Sequence, residues 1–513
     1  MSKEKRKNDQ EVGGFLKGVE RVGNTLPHPA IIFVILSAIL LIVAELVARS
    51  GYTVEFYDAK AGEQVSLTAV SLLNAEGLNY IFNSATKNFT GFAPLGTVLV
   101  AMLGVGVAEY SGLFDSSLKK MLSGVNARIL TIAIVFAGIM SNIASDAGYL
   151  VVVPLGAMMF ASAGRHPIAG LAAAFAGVSG GFSANLLIGT TDPLLTGITN
   201  EALKVTGMNM ELAATCNWFF LIASTFIITI VGTLVTERIV EPNLGAYTGS
   251  YVHEDKPITE VENKGLKKAG LALLIYVVIM GFLMFPSNAV FKTEGEVGIE
   301  ALKEFLNNGL MLGILLLFLI PGFVYGKTVG TINDTNDLVK AMTKAMQGMG
   351  SYLVLAFFAA QFVNYFGHTN MGKIVSVAGA NFLSHSGITG IPLILIFILL
   401  SAFLNLFMGS ASAKWAIMAP IFVPMMAGAG IHPALTQVAY RIGDSSTNII
   451  TPLMSYFAVI VAFMQKYDED KGLGTLISTM LPYSMSFLAS WAIFLVIWML
   501  FGFPVGPGAP LYM

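Results

Sequence analysis

VVPLGAMMFASAGRHP at residues 152–167 returns as MAPIFVPMMAGAGIHP at residues 418–433. Pro154 pairs with Pro420, and the offset of 266 positions (420 − 154) also matches Gly164 with Gly430 and His166-Pro167 with His432-Pro433. A small-polar cluster precedes each copy: SNIASDAGY at 141–149 and MGSASAKW at 408–415. Each copy is followed by an apolar run broken by Gly, Ser, Thr, Asn and Pro, GGFSANLLIGTTDP at 180–193 and GDSSTNIITP at 443–452. Corresponding interruptions in two membrane halves point to the binding site of a secondary transporter.

Composition sets the class. The 513 residues are 55% hydrophobic and 12% charged, and soluble domains carry about twice that charge. Mean hydropathy is +0.73. With a net charge of −2, no nucleic-acid partner is implied; the lipid bilayer is. The single cysteine, Cys216, excludes an intrachain disulfide. MSKEKRKNDQ at the N-terminus reads as a polar, basic leader to a retained span rather than a cleavable signal.

A crossing helix needs about 20 mainly apolar residues. Such runs lie near 29–49, 94–111, 167–190, 214–237, 269–285, 307–326, 350–367, 433–460 and 475–503. The regions 128–163 and 389–428 are split by the polar clusters, and each reads as a re-entrant hairpin or as two ordinary spans. The predicted fold is an all-α integral membrane protein, with about nine crossings plus two hairpins. Residues 1–240 form a first repeat (hairpin 128–163, broken helix 167–193), and 241–268 a cytoplasmic linker. A connecting span and external loop follow at 269–306, then a second repeat at 307–513 (hairpin 389–428, broken helix 433–460).

Lys3, Lys5, Arg6, Lys7, Lys17 and Arg21 precede the first span and put the N-terminus in the cytoplasm. Counting onward, Lys119, Lys120, Arg128, Arg165, the linker's basic residues, Lys327, Lys340, Lys344, Lys466 and Lys471 also fall inside. The two hairpins then enter from opposite faces, as inverted repeats require. Segments 50–93 and 286–306 are expected to be ordered external caps or short helices, and 331–348 an amphipathic surface helix. The three His-Pro pairs, at His28, His166 and His432, read as helix starts with proline in the first turn.

Charge inside an apolar run costs at least ~2.5 kcal/mol on insertion scales, so each instance needs a reason. Arg441 and Asp444 stand three apart on one helix. Either they neutralise each other, or Arg441 grips a substrate carboxylate while Asp444 orients it or binds a cation. The polar run through Ser445, Ser446, Thr447 and Asn448 favours the second. Asp192, beside Pro193 and beyond Asn185, marks a helix break whose freed carbonyls suit a small cation; an interfacial cap is the other reading. Asp146 and Asn142 at the first hairpin tip offer carboxylate and amide oxygens for Na⁺ or a proton, or serve as a helix cap. Na⁺ could equally use Asp444 and Asn448. Trp415, just after Ser412, could stack on an aromatic ring or sit in an interfacial belt. Lys414 snorkels, pairs with a carboxylate or touches substrate.

Several chemistries lack their residues. PGFVYGKT at 321–328 has Pro321 where a phosphate-binding loop needs glycine, and no HExxH occurs. Arg441-Ile442-Gly443-Asp444 lacks the first glycine of an intramembrane aspartyl-protease signature, which leaves an Asp192/Asp444 hydrolase a remote alternative. With no nucleotide site and no cofactor, the energy source is an ion gradient, Na⁺ or H⁺.

KNFTGFAPLG (87–96), RHPIAGLAAAFAGVSGGFSANLLIGTTDPLLTGI (165–198), GSASAKWAIMAPIFVPM (409–425) and RIGDSS (441–446) resemble the AbgT family of p-aminobenzoyl-glutamate transporters. The likeness runs from VERVGNTLPHP at 19–29 to FPVGPGAP at 503–510. It implies a dimeric, multi-pass protein of the bacterial inner membrane with nine spans, two hairpins and one pathway per protomer. It also implies a small-molecule substrate: import of p-aminobenzoyl-glutamate or proton-driven export of sulfonamide antimetabolites. Carried over by motif, the site comprises Asn185, Asp192, Ser412, Trp415, Arg441, Asp444 and Pro452. An aromatic ring and two carboxylates suit Trp415 and Arg441 as partners.

Overall fold

The structure, a computed structural model, describes residues 27–513 apart from 59–62, 123–124, 127–128, 145–147, 209, 248–257, 287, 294–299, 303 and 455. The N-terminal basic residues, Arg128 and Asp146 therefore lie outside the described residues. Helix dominates. Among the described residues, six helical stretches are long and apolar enough to cross a membrane: Pro29–Ser50, Ala75–Ser111, Trp218–Leu244, Glu260–Met284, Leu310–Val329 and Leu473–Leu500. The pair Thr335–Gly348 and Gly350–His368 is bent by 48° and counts as a seventh only if its two helices are one span. The first of that pair buries only Ala341, which fits the amphipathic reading of 331–348.

The remaining apolar runs are interrupted. The run from Pro167–Phe175 continues as one π-helical turn, Ala176–Gly180, leaves helix through 181–190, and resumes at Thr191–Val205. Its counterpart is Pro433–Asn448, a non-helical stretch, then Phe457–Gln465. Before each lies a split region. Leu130–Met140 and Val153–Ser162 flank the first polar cluster; Gly390–Asn405 and Ala411–Gly428 flank the second.

The sequence repeat is visible in the capping. His28, His166 and His432 each sit at a helix N-cap ahead of proline. In all three the ring Nδ1 accepts from the backbone amide two residues on, at 3.2, 3.2 and 3.3 Å. The imidazole therefore satisfies an amide that the first helical turn leaves without an intrahelical acceptor. These histidines are helix starts.

The helices pack around two cores that meet where Ala93–Ser111 lies on Thr191–Val205. Ala93–Ser111 lies against Leu310–Val329, which in turn packs on Glu260–Met284, while Thr335–Gly348 covers Ala93–Ser111. The split regions, interrupted helices, Trp218–Val235 and Leu473–Leu500 share the large core. In that core several helix crossings close to backbone contact. A side chain at Gly138 would meet the Ala174 carbonyl at 2.8 Å, and one at Gly156 the Gly170 carbonyl at 2.7 Å. Trp218–Val235 hides its hydroxyls in the same economical way. Thr225, Thr229, Thr233 and the following Thr236 each donate to the carbonyl four residues back, at 2.6–2.9 Å. Glu260–Met284 buries only Gly265, Ala269 and Tyr276 and exposes Leu271, Leu274, Ile275 and Phe282. Such an apolar surface is stable in hydrocarbon and not in water.

Two segments differ from expectation. Residues Thr53–Asp58 and Glu63–Thr68 form an antiparallel β-hairpin within the segment expected to be caps or short helices. Its end is tied down where Val70 N donates to Thr369 O at 3.0 Å and Asn370 Nδ2 to Thr68 O at 3.0 Å. The period-two alternation in TVEFYD is the physical reason. Met371–Ser386 is helical although too polar to stand out as a span.

The capping geometry makes a prediction. His432→Ala should lower stability by about 1 kcal/mol, and His432→Asn by clearly less, because an amide oxygen can also cap. Thermal melts of the detergent-purified variants check this; equal losses would show that the cap contributes nothing.

Candidate functional site

The Pro433–Asn448 helix is buried along its whole length. Its residues Gln437, Tyr440, Arg441, Asp444 and Asn448 recur at spacings of three and four, so they form one polar stripe. The stripe faces both halves of the molecule. Arg441 Nη1 donates to Asp192 Oδ1 at 2.6 Å, with both side chains at or below 5% exposure. Asp192 lies in the first turn of Thr191–Val205, and its other oxygen accepts from Gly189 N at 2.7 Å. The carboxylate thus closes the helix break and anchors the arginine. Arg441 engages through one prong, and its Nε has no partner among the described residues.

Asp444 takes a different cation. Lys414 Nζ lies 2.6 Å from Asp444 Oδ1, with both side chains nearly inaccessible. The same ammonium donates to Asn405 Oδ1 and stands 5.4 Å from the Tyr440 ring centre. Asn405 Nδ2 donates to Asp444 O at 2.7 Å, Thr447 Oγ1 at 2.9 Å and Asn448 Oδ1 at 2.9 Å. Asn448 Nδ2 completes the ring towards Asp444 Oδ2 at 3.4 Å. Arg441 and Asp444 are therefore each satisfied by a residue other than the other. A Na⁺ at Asp444 and Asn448 would have to displace Lys414, whose ammonium already fills that cradle. The two aspartates are likewise held apart on separate cations, whereas an aspartyl hydrolase needs its carboxylates to share a proton.

Trp415 is fully buried and stacks on Tyr440, with ring centres 4.5 Å apart. Its Nε1 donates to Thr199 Oγ1 at 3.0 Å and Leu195 O at 3.2 Å, so the second copy of the repeat grips the interrupted helix of the first. Gln437 extends this seam. It accepts from Thr199 at 2.6 Å and donates to Asn217 Oδ1 at 2.8 Å and Thr196 Oγ1 at 3.3 Å.

The other expected residues flank this centre. Asn142 is buried, donates to Ile139 O at 3.1 Å, and has no partner for Oδ1 among the described residues. It adjoins the Asp192 break, since a side chain at Gly189 would sit 3.5 Å from Asn142 O and 3.8 Å from Asp192 Oδ2. Asn185 Oδ1 accepts from Leu187 N at 3.1 Å within that break. Ser412 is half-buried with Ser410 Oγ at 3.5 Å, and Pro452 turns the chain after the stripe. Buried atoms without partners cluster on these elements: Asn142 Oδ1, Ser183 Oγ, Arg441 Nε and Ser445 Oγ. Such groups are rare in folded proteins and mark places where a ligand or water completes the bonding.

Asn405, Gln437, Thr199 and Asn217 are additions to the residues read from sequence. Gln437 was detectable one turn before Arg441 on the same face, and Asn405 as the amide inside the apolar run FLNLF.

Breaking a buried ion pair by removing one partner costs about 3–5 kcal/mol, whereas removing both is near neutral. Lys414→Met should therefore destabilise the protein by that amount, and Lys414→Met/Asp444→Leu should recover most of it. Thermal unfolding in detergent reads both; a double variant as unstable as the single would show that the pair is not a unit.

Residues 14–513 match the AbgT putative transporter family. The p-aminobenzoyl-glutamate transport protein of Escherichia coli (strain K12) is 37% identical over 508 residues, 99% of each chain. The crystal structure of the Alcanivorax borkumensis YdaH transporter, noted for an unusual topology, superposes with TM-score 0.87 at 42% identity, covering 94% of this chain and 100% of that one. Neisseria gonorrhoeae MtrF, described as illuminating a class of antimetabolite efflux pumps, gives TM-score 0.90 at 47% identity over 97% of this chain and 100% of its own. The chain is a membrane protein belonging to the AbgT transporter family.

Proposed function

We propose that this chain is an ion-coupled secondary transporter of p-aminobenzoyl-glutamate or a related aromatic acyl-amino-acid anion, working by alternating access. The observation that carries the reading is the single-pronged Asp192–Arg441 pair between the two interrupted helices, with the Trp415–Tyr440 stack on the same face. A substrate carboxylate can take up the arginine's unused donors, and the guanidinium's planar fork suits it. The relative named for p-aminobenzoyl-glutamate transport supports the substrate class.

The membrane frame belongs to the same proposal. The basic residues favour a cytoplasmic N-terminus in a bacterial inner membrane, with split regions 128–163 and 389–428 entering as hairpins from opposite faces. About nine crossings and a homodimer complete it. Asp192, Asp444, Asn142, Asn448 and Asp146 are the proposed coupling groups. With Lys414 in the Asp444 cradle, a coupling Na⁺ is better placed at the Asn142 end, and a proton needs no vacancy.

A second reading is export of sulfonamide antimetabolites by proton exchange, favoured by the 47% identity to an efflux pump. Sulfonamides keep the aminobenzene ring and lack the glutamate, so the two directions differ in their need for Arg441.

The test is uptake of labelled p-aminobenzoyl-glutamate into proteoliposomes under a Na⁺ gradient or a pH gradient imposed separately. The expected result is accumulation driven by one gradient and lost in Arg441→Ala and Asp192→Asn, with Arg441→Lys, which keeps the buried charge paired but not the planar fork, guarding against a folding defect. Absence of accumulation under both gradients, with sulfonamide extrusion intact and indifferent to Arg441→Ala, would establish the exporter instead.

A further inference from the structure

A polar concavity lies away from the ion pairs. It encloses about 810 Å³, within the range of small-molecule sites, and sits where Ala75–Thr90 meets the C-terminal ends of Thr191–Val205 and Gly350–His368. The β-hairpin is tied to the same end of Gly350–His368. The charge distribution proposed above makes this the external side.

Its lining is unusual for a surface hollow in a hydrophobic protein. Lys87 and Lys204 face Glu201 alone among carboxylates, a balance of +1 (2 − 1). Lys204 is paired with Glu201 at 3.0 Å, and Lys87 makes no ion pair among the described residues. One wall is flat: the rings of Tyr80 and His368 stack 3.7 Å apart at 15°. At the base, Asn88 is buried and held by Gln361 at 3.0 Å and Ser84 at 3.1 Å, so the floor is rigid. Amides, paired rings and lysines together match a planar molecule carrying carboxylates.

The concavity also communicates with the centre through one rod. Thr191–Val205 carries Asp192 in its first turn and Lys204 in its last, about 18 Å apart at 1.5 Å per residue. Midway, Thr199 receives Trp415.

We propose that this concavity is a loading site, in which Lys87 and Lys204 hold the carboxylates of an aromatic acyl-amino-acid anion before it reaches Arg441. The proposal rests on the cargo reading given above. Lys204 exchanges Glu201 for the ligand, and Lys87 supplies the unpaired charge. Both lysines are exposed, so the contribution is salt-sensitive.

The deciding experiment measures equilibrium binding of labelled p-aminobenzoyl-glutamate to the purified full-length protein carrying Arg441→Ala. One residual site should remain, weakened about tenfold by adding Lys87→Ala/Lys204→Ala and weakened again by raised salt. In the otherwise unaltered protein, Lys87→Ala/Lys204→Ala should raise the KM for uptake several-fold and leave kcat unchanged. That second measurement decides the matter if Arg441→Ala does not fold. Residual binding that is absent, indifferent to the lysines, or displaced by glycerol phosphate but not by glutamate would overturn the loading site. Failure of the unaltered protein to transport the labelled anion would sink the cargo reading instead, while residual binding still judges the concavity.

Discussion

The Asp192–Arg441 ion pair is the constraint around which the molecule is arranged. Placing two charges in a nearly dry interior is costly, and their mutual attraction compensates only when geometry and further hydrogen bonds are good. The chain meets this by interrupting a helix at 181–190, so that Gly189 N can donate to the carboxylate that also receives Arg441. It meets it again by burying every residue of Pro433–Asn448. Because the two charges come from different halves of the chain, neither half can satisfy its own. Their union holds the halves in register at the centre of the protein.

The second pair has a different character. Lys414 and Asp444 come from the same half and are enclosed by Asn405 and Asn448 amides, with few unfilled valences. Arg441 Nε, in contrast, has no partner among the described residues, and neither do Ser445 Oγ and Asn142 Oδ1. Full satisfaction rigidifies a polar network, and partial satisfaction leaves it receptive. One pair is enclosed by amides and the other borders unpartnered polar atoms, and they lie within a turn of each other on a single helix.

The repeat, the His-Pro helix starts, the interrupted runs and the amphipathic helix before Gly350 were legible because each has a local signature in residue type or period. Partner choice was not. Arg441 and Asp444 stand three apart and carry opposite charge, which from sequence alone makes them natural mates. Only the fold brings Asp192 and Lys414 close enough to compete, and a charge has no sequence mark for which of two counter-charges it will meet. Asn405 and Gln437 were detectable as polar residues but not as site residues, since a single amide in an apolar run looks tolerated until its bonds are known. The β-hairpin was overlooked because helix is the default reading beside membrane spans, although TVEFYD alternates as a strand does. Asp146 lies outside the described residues, so its proposed role stands on sequence.

The backbone contacts at Gly138 and Gly156 also decide what can travel. Where carbonyls touch a neighbouring helix with no side chain between, sliding would drive main chain into main chain. Leu130–Met140, Val153–Ser162 and Pro167–Gly180 must therefore move as one rigid cassette. Gly197 extends the lock to Ala93–Ser111, since a side chain there would sit 3.1 Å from Pro94 Cα. The glycines thus mark where neighbouring helices are locked main chain to main chain, so that displacing one displaces the other.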